Sequence, residues 1–328
     1  MLRASVLTVV LCLSSIAVSS IANEPADQDQ QKKSTWITLG TMGGPVPDPD
    51  HSQPANALLL DDNIFLVDVG DGTAGRLAMA GLSMHAVRSV FISHLHFDHT
   101  GGLPALISLR WQTSSPDMLT IYGPPGTRQT VEGIFAFMTY GAAGHYGVPG
   151  RTPLPASHNV AVVELVDGER VDGEGFTVTV VRNAHYSWPK GSDEWHKFQS
   201  FSYRFDMPDR SIVYSGDTGP SKALTELAQG ADLLVSEMMD IEATIAKVKR
   251  FNPSLRGDEL SGMEAHLSHH HLTPEQVGKM ATAAKVKEVV VTHMAPGLSD
   301  PERVRYYTDR VKTQFDGEVT IAADLDRF

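Results

Sequence analysis

The chain has 328 residues, with 27 Lys+Arg against 39 Asp+Glu, a formal charge of −12, and one cysteine, Cys12. An apolar content of 41% is enough for a buried core in one large or two ordinary domains, which excludes disorder throughout. A single cysteine excludes a disulfide framework and Cys-rich zinc or iron–sulfur sites, and the acidic balance argues against a surface built to grip nucleic-acid phosphates.

Residues 1–22 read as a secretory signal peptide. Arg3 opens the segment, an apolar run follows, and Ser20-Ile21-Ala22 offers small residues before a cut. The run is too short to span a bilayer comfortably. Cleavage removes Cys12 and Arg3, so the expected exported chain is thiol-free and its formal charge moves from −12 to −13. The expected location is the periplasm or the medium, with no membrane association after cleavage. Residues 23–35 are polar and aperiodic, a flexible leader. The rest, 36–328, reads as one domain, because no Pro- or Ser-rich linker divides it.

Within that domain apolar, β-rich runs fall at 36–39, 57–60, 64–69, 87–93, 119–122 and 160–165, then at 176–181, 201–205, 211–214, 233–237, 288–292 and 319–322. Helical patterns fall at 102–112, 128–140, 221–228, 274–284 and 301–314. The helix at 274 has a capping-box signature: Thr273 as cap, Pro274 at the first position and Gln276 three residues on. Strands interleaved with helices predict an α/β sandwich, two mixed sheets with helices on the outer faces.

The sharpest feature is Ser93-His94-Leu95-His96-Phe97-Asp98-His99, between a strand and a Gly-Gly opening into a helix. Imidazole and carboxylate without thiolate suit zinc or a similar divalent ion. His94 and His96 can point the same way, while Asp98 and His99 face a second position. Neither coordination sphere closes within this segment, so further ligands must come from elsewhere.

These residues resemble the H-x-H-x-D-H signature of the metallo-β-lactamase-fold hydrolases. Other motifs of that superfamily follow in order. Asp68 in Leu66-Val67-Asp68-Val69-Gly70 resembles its D-x-G turn, His185 follows a strand, Ser215-Gly216-Asp217-Thr218 ends a hairpin, and His293 ends a late strand. Each of these later residues also has a plain reading as a turn or strand-end residue. The resemblance implies two zinc ions per subunit. His94, His96 and His185 would hold one, Asp98, His99 and His293 the other, with Asp217 bridging both. Asp68 fits either turn formation or support of the ligands.

Asp217 stands where thiolate-using zinc β-lactamases carry cysteine, and no C/S-x-P-x-R motif of formylglycine sulfatases is present. His271-Leu272-Thr273 resembles the H-x-T motif of the branch containing tRNA 3′-end nucleases, arylsulfatases and certain phosphodiesterases. That likeness makes His271 and Asp98 the catalytic residues, with His271 assisting the leaving group. His269 and His270 read as solvated neighbours. The tRNA nucleases carry an extended arm between the third metal histidine and the bridging aspartate, and the short interval from His185 to Asp217 leaves no room for one.

The expectation is therefore an exported arylsulfatase acting by attack of a metal-bridging hydroxide on a small anionic ester, with no nucleic-acid partner. An exported phosphodiesterase is the alternative, ahead of a lactone or thioester hydrolase and a non-catalytic metal-binding protein. Self-association into a homo-oligomer stays open. Expected pocket aromatics are Trp111, Phe135, Phe137, Tyr140, Tyr146 and above all Trp188, with Met138, around a glycine-rich loop at 141–150 that is either a mobile lid or a turn.

Overall fold

A computed structural model describes residues 33–144, 146–150 and 152–328. The segment expected as a signal peptide, most of the expected leader, His145 of the glycine-rich segment and Arg151 lie outside the described residues. In chain order the elements are β1 (Thr35–Gly40), β2 (Ala55–Leu60), β3 (Asn63–Val69), α1 (Thr73–Met79), β4 (Val87–Phe91), α2 (Phe97–Thr100), α3 (Leu103–Gln112), β5 (Leu119–Gly123), α4 (Thr127–Gly144), β6 (Val160–Glu164), β7 (Arg170–Asp172) and β8 (Thr177–Arg182). They continue with α5 (Asp193–Lys197), β9 (Phe201–Asp206), β10 (Ser211–Tyr214), α6 (Lys222–Leu227), β11 (Leu233–Met239), α7 (Ile241–Phe251), α8 (Gly257–His269), α9 (Pro274–Ala284), β12 (Glu288–Ala295), α10 (Pro301–Lys312) and β13 (Glu318–Ile321).

The strands form two mixed sheets. One runs β1-β2-β3-β4-β5-β6, antiparallel at its start and parallel from β3 to β6. The other runs β13-β12-β11-β10-β9-β8-β7, parallel from β13 to β10 and antiparallel beyond. Central parallel strands are covered on both faces, which is why β3, β11 and β12 read as nearly unbroken apolar runs. Between the sheets lies a core of Trp36, Phe65, Phe91, Phe176, Phe201, Tyr203, Phe205 and Tyr214. Phe91 meets Tyr203 and Phe205 edge-on at 5.7 and 5.5 Å, geometry that favours aromatic pairs beyond their area. Helices α3 and α4 cover the outer face of the first sheet, and α6, α9 and α10 that of the second. The expected two-sheet sandwich is the observed fold.

Every expected strand is present. Strand β7 and helices α1, α2, α5, α7 and α8 are additions. Most are too short to show a period. Helix α7 did carry a signal: the Asp240 side chain caps it, accepting from Ala243 N at 2.9 Å, and Ile241, Ile245 and Val248 recur at helical spacing. The segment expected as a glycine-rich loop from 141 is helix through Gly144, because α4 runs a full turn further than its apolar pattern.

Candidate metal centre and catalytic site

The strands end at one rim of the sandwich, and residues at or just beyond their carboxyl ends build the site. Asp68 lies in β3, His94 to His99 follow β4, His185 follows β8, Asp217 follows β10, Glu237 lies in β11 and His293 in β12. Local backbone is shaped for this. Asp68 and His293 hold positive φ, 59° and 45°, conformations that cluster where side chains must be aimed against backbone preference. Gly216, at φ 57°, allows the turn before Asp217 to pass Phe201, whose carbonyl oxygen would sit 2.6 Å from a Cβ there.

Two ligand groups result. His94 Nε2, His96 Nδ1 and His185 Nε2 face one another: the first two lie 2.9 Å apart and the last two 3.2 Å. Asp98, His99, Asp217 and His293 form the second group. Asp217 lies between the two. Its Oδ1 is 3.3 Å from His99 Nε2 and 3.2 Å from His293 Nε2, and its Oδ2 is 3.9 Å from His94 Nε2. All seven residues named from the motifs thus converge.

Hydrogen bonds behind the ligands fix which nitrogen faces inward. His99 Nδ1 donates to Asp68 Oδ2 at 2.8 Å, and His185 Nδ1 donates to the His270 carbonyl at 3.2 Å. His94 Nδ1 donates to Ser93 Oγ (3.1 Å), which in turn donates to Asp68 Oδ2 at 2.8 Å. Asp68 also accepts from Ser93 N and the Tyr214 hydroxyl. Of its two open readings, support of the ligands is the contact observed, and the positive φ adds the turn.

Inward, His99 Nε2, His293 Nε2 and Asp217 Oδ1 are buried with no hydrogen-bond partner. Leaving such atoms unpaired is costly, and a divalent cation satisfies all three at once. Burial pushes the His94 imidazole well down, reinforced by His99 and His185, which keeps it in the neutral form a metal requires. Burial alone would raise the Asp217 carboxyl, but His293 and His99 hold it well below the usual range. The donor set of imidazole and carboxylate fits a divalent ion of the zinc type.

His271 is buried at the same cavity, and its Nδ1 donates to Glu237 Oε2 at 2.9 Å. Burial pulls its pKa down, but the Glu237 carboxylate outweighs this and the group is raised. Glu237 also accepts from Thr218 N at 2.8 Å, which ties the pair to the Asp217 turn. Glu237 is a site residue the motifs missed: a lone Glu within an apolar strand was its only mark. His266 on α8 is another, its ring 5.0 Å from that of His185 and 5.4 Å from that of His271. Burial beside His271 lowers its pKa to about 4. His270 turns to His266 Nδ1 at 2.9 Å and to Ser187, while His269 bonds the Ala265 carbonyl.

The expected aromatic pocket is not at this site. Trp111, Phe137, Met138, Tyr140 and Tyr146 line a separate cavity between α3 and α4, and Phe135 packs against the core of the first sheet. Trp188 lies against Phe198 at 6.0 Å, in a small hollow with Arg182 and Trp195. The cavity holding Asp98, Asp217, His271 and His293 is about 410 Å³, walled instead by α7, α8 and the segment 42–46. Helical spacing in α4 marked packing, not a binding surface.

Residues 64–294 match the Beta-lactamase superfamily domain. The chain belongs to the metallo-β-lactamase superfamily. It is 30% identical over 293 residues to a protein named Ribonuclease Z from Mycobacterium sp. (strain KMS), a span covering 89% of this chain and 94% of that one. In fold it is similar to the metallo-beta-lactamase fold protein YhfI from Bacillus subtilis, with a TM-score of 0.65 at 19% identity over 91% of this chain and 99% of that one. It is also similar to human tRNase Z, short form, at 0.60 and 24% over 90% and 98%.

The Ribonuclease Z relatives correct two expectations for this member of the superfamily. The arylsulfatase assignment is overturned: sulfuryl and phosphoryl esters present the same tetrahedral oxyanions to one metal clamp, so the motifs alone had no means to tell them apart. The exclusion of a nucleic-acid partner is overturned too. Net charge over the whole chain does not report the field inside a site that holds cations. The interval between His185 and Asp217 is taken up by α5, β9 and β10. The relatives also give no support to the signal-peptide, periplasmic or secreted reading.

Proposed function

We propose that the protein hydrolyses phosphodiester bonds in RNA, at a site holding two zinc ions within a catalytic domain of residues 36–328. The observation that carries this reading is the 30% identity over 89% of the chain to a protein named Ribonuclease Z, joined to a ligand set that leaves three inward-facing buried atoms for cations. His94, His96 and His185 would hold one ion, Asp98, His99 and His293 the other, and Asp217 would touch both. Bound divalent ions supply a low-pKa water and positive charge for the phosphoryl oxygens.

The remaining work falls to the chain's own side chains. Asp98 lies against His99 and His293 at 3.6 Å from each Nε2, placed to orient the attacking water. His271 presents its other nitrogen to the cavity while Glu237 holds Nδ1, so its proton is directed at the departing oxygen. Thr273 and the α9 cap fix the backbone just beyond it.

The test is incubation of the zinc-loaded protein with a tRNA precursor bearing a 3′ trailer, beside p-nitrophenyl sulfate. Release of the trailer by one cut is the expected result. Intact RNA together with rapid sulfate-ester turnover would overturn the reading.

A further inference from the structure

Between the metal ligands and helices α7 and α8 the cavity changes character. Its lining there includes Met42, Met239, Met263, Val248 and Leu267, together with Phe97. Phe97 is 85% exposed although it sits between His96 and Asp98. A large, exposed aromatic between two metal-facing residues offers a face for stacking, and the three thioethers lining the same cavity suit a planar ring. One polar atom interrupts this wall: Thr244 Oγ1 of α7 is buried and has no hydrogen-bond partner. Such an atom calls for a heteroatom on the group that enters. A purely hydrocarbon ring would leave it unpaired, whereas the edge of a nucleobase offers both donors and acceptors. Lys247 points its charge at Asp48, 3.5 Å away, so the chamber offers no free ammonium for a second phosphate.

We propose that this chamber takes one unstacked nucleobase adjoining the scissile phosphate, with its face on Phe97 and its edge at Thr244. The identity of the ligand rests on the RNA-hydrolase reading above. The chamber favours a single-stranded end, since a paired base must first be unpaired and unstacked to enter, at a cost that an already single-stranded base avoids. Within the cavity's volume there is space for one nucleotide-sized group.

The test is calorimetric and needs no turnover: binding of adenosine 5′-monophosphate and of ribose 5-phosphate to the zinc-loaded full chain. The two share sugar and phosphate and differ only in the base. The nucleotide should bind tighter by roughly 5- to 100-fold, the span of one base–aromatic stack. Phe97→Ala should remove most of that difference while zinc content per chain stays unchanged. Thr244→Val should weaken the nucleotide by roughly 3- to 10-fold and leave ribose 5-phosphate unaffected. It also serves if Phe97→Ala disturbs the metals. Equal affinities for the two ligands, or no binding of either, would overturn the inference. A base preference without RNA cleavage would uphold the chamber and sink only the catalytic reading.

Discussion

Asp68 is a buried carboxylate that accepts four hydrogen bonds, from Ser93 N, Ser93 Oγ, Tyr214 and His99. Those contacts link both sheets and set the tautomer of a metal-facing imidazole, so one side chain serves packing and chemistry together. The Glu237–His271 pair is the second such device. His271→Ala should keep the metals and slow substrates with poor leaving groups by about 100-fold or more, with little effect on good ones. Glu237→Gln should follow the same pattern more weakly. A plot of log kcat against leaving-group pKa checks this; parallel lines for wild type and His271→Ala would remove His271 from the leaving-group role. His94, His96 and His99 were legible in the sequence because their spacing is local, two and three residues apart, whereas His185 and His293 were named only through the family resemblance. Glu237 was not legible, since its partner lies across the strand-to-helix connection and only folding brings them within 2.9 Å.

Among the elements, α9 shows local code working unaided. Thr273 Oγ1 accepts from Gln276 N, and Gln276 Oε1 accepts from Thr273 N at 2.8 Å, the reciprocal pair its residues announce. Thr273→Ala should lower unfolding free energy by about 1 kcal/mol, read from urea denaturation of the zinc-loaded protein. It should also lower kcat, because His271 is anchored two residues ahead of the cap. An unchanged midpoint would mean that packing of Val277 and Ala281 alone holds the helix. Helices α7 and α8 are the opposite case. Among their residues only Thr244 and Leu267 are buried, and the apolar residues Ile241 and Ile245 of α7 and Met263 of α8 are only partly covered, packing against Met239, Leu267 and Ala295 beside the site they roof. They decide the character of the cavity, which is why pocket residues sought in α4 were found elsewhere.

For the molecule as a whole, the inward-facing carboxylates and imidazoles make folding and metal binding one equilibrium. Unpaired, His99 Nε2, His293 Nε2 and Asp217 Oδ1 are a cost that the sandwich core must offset. Stripping the protein with a chelator should lower its melting temperature, and free zinc at about 1,000 times its Kd should restore about 4 kcal/mol per site. Scanning calorimetry with and without zinc decides this; coincident transitions would show that the ligand cluster bears no ion. The strand runs, the two-sheet architecture and the His94–His99 cluster were legible in the sequence, because strand periodicity and local motif spacing are properties of neighbours along the chain; His185, Asp217 and His293 were named only through the family resemblance. Which ester the centre meets was not legible, since phosphoryl and sulfuryl groups ask the same ligands for the same geometry. Where the substrate's remainder lies was decided only by tertiary structure: Phe97, Thr244 and Met263 are distant in sequence, and only the packing of α7 and α8 over the strand ends brings them to one chamber.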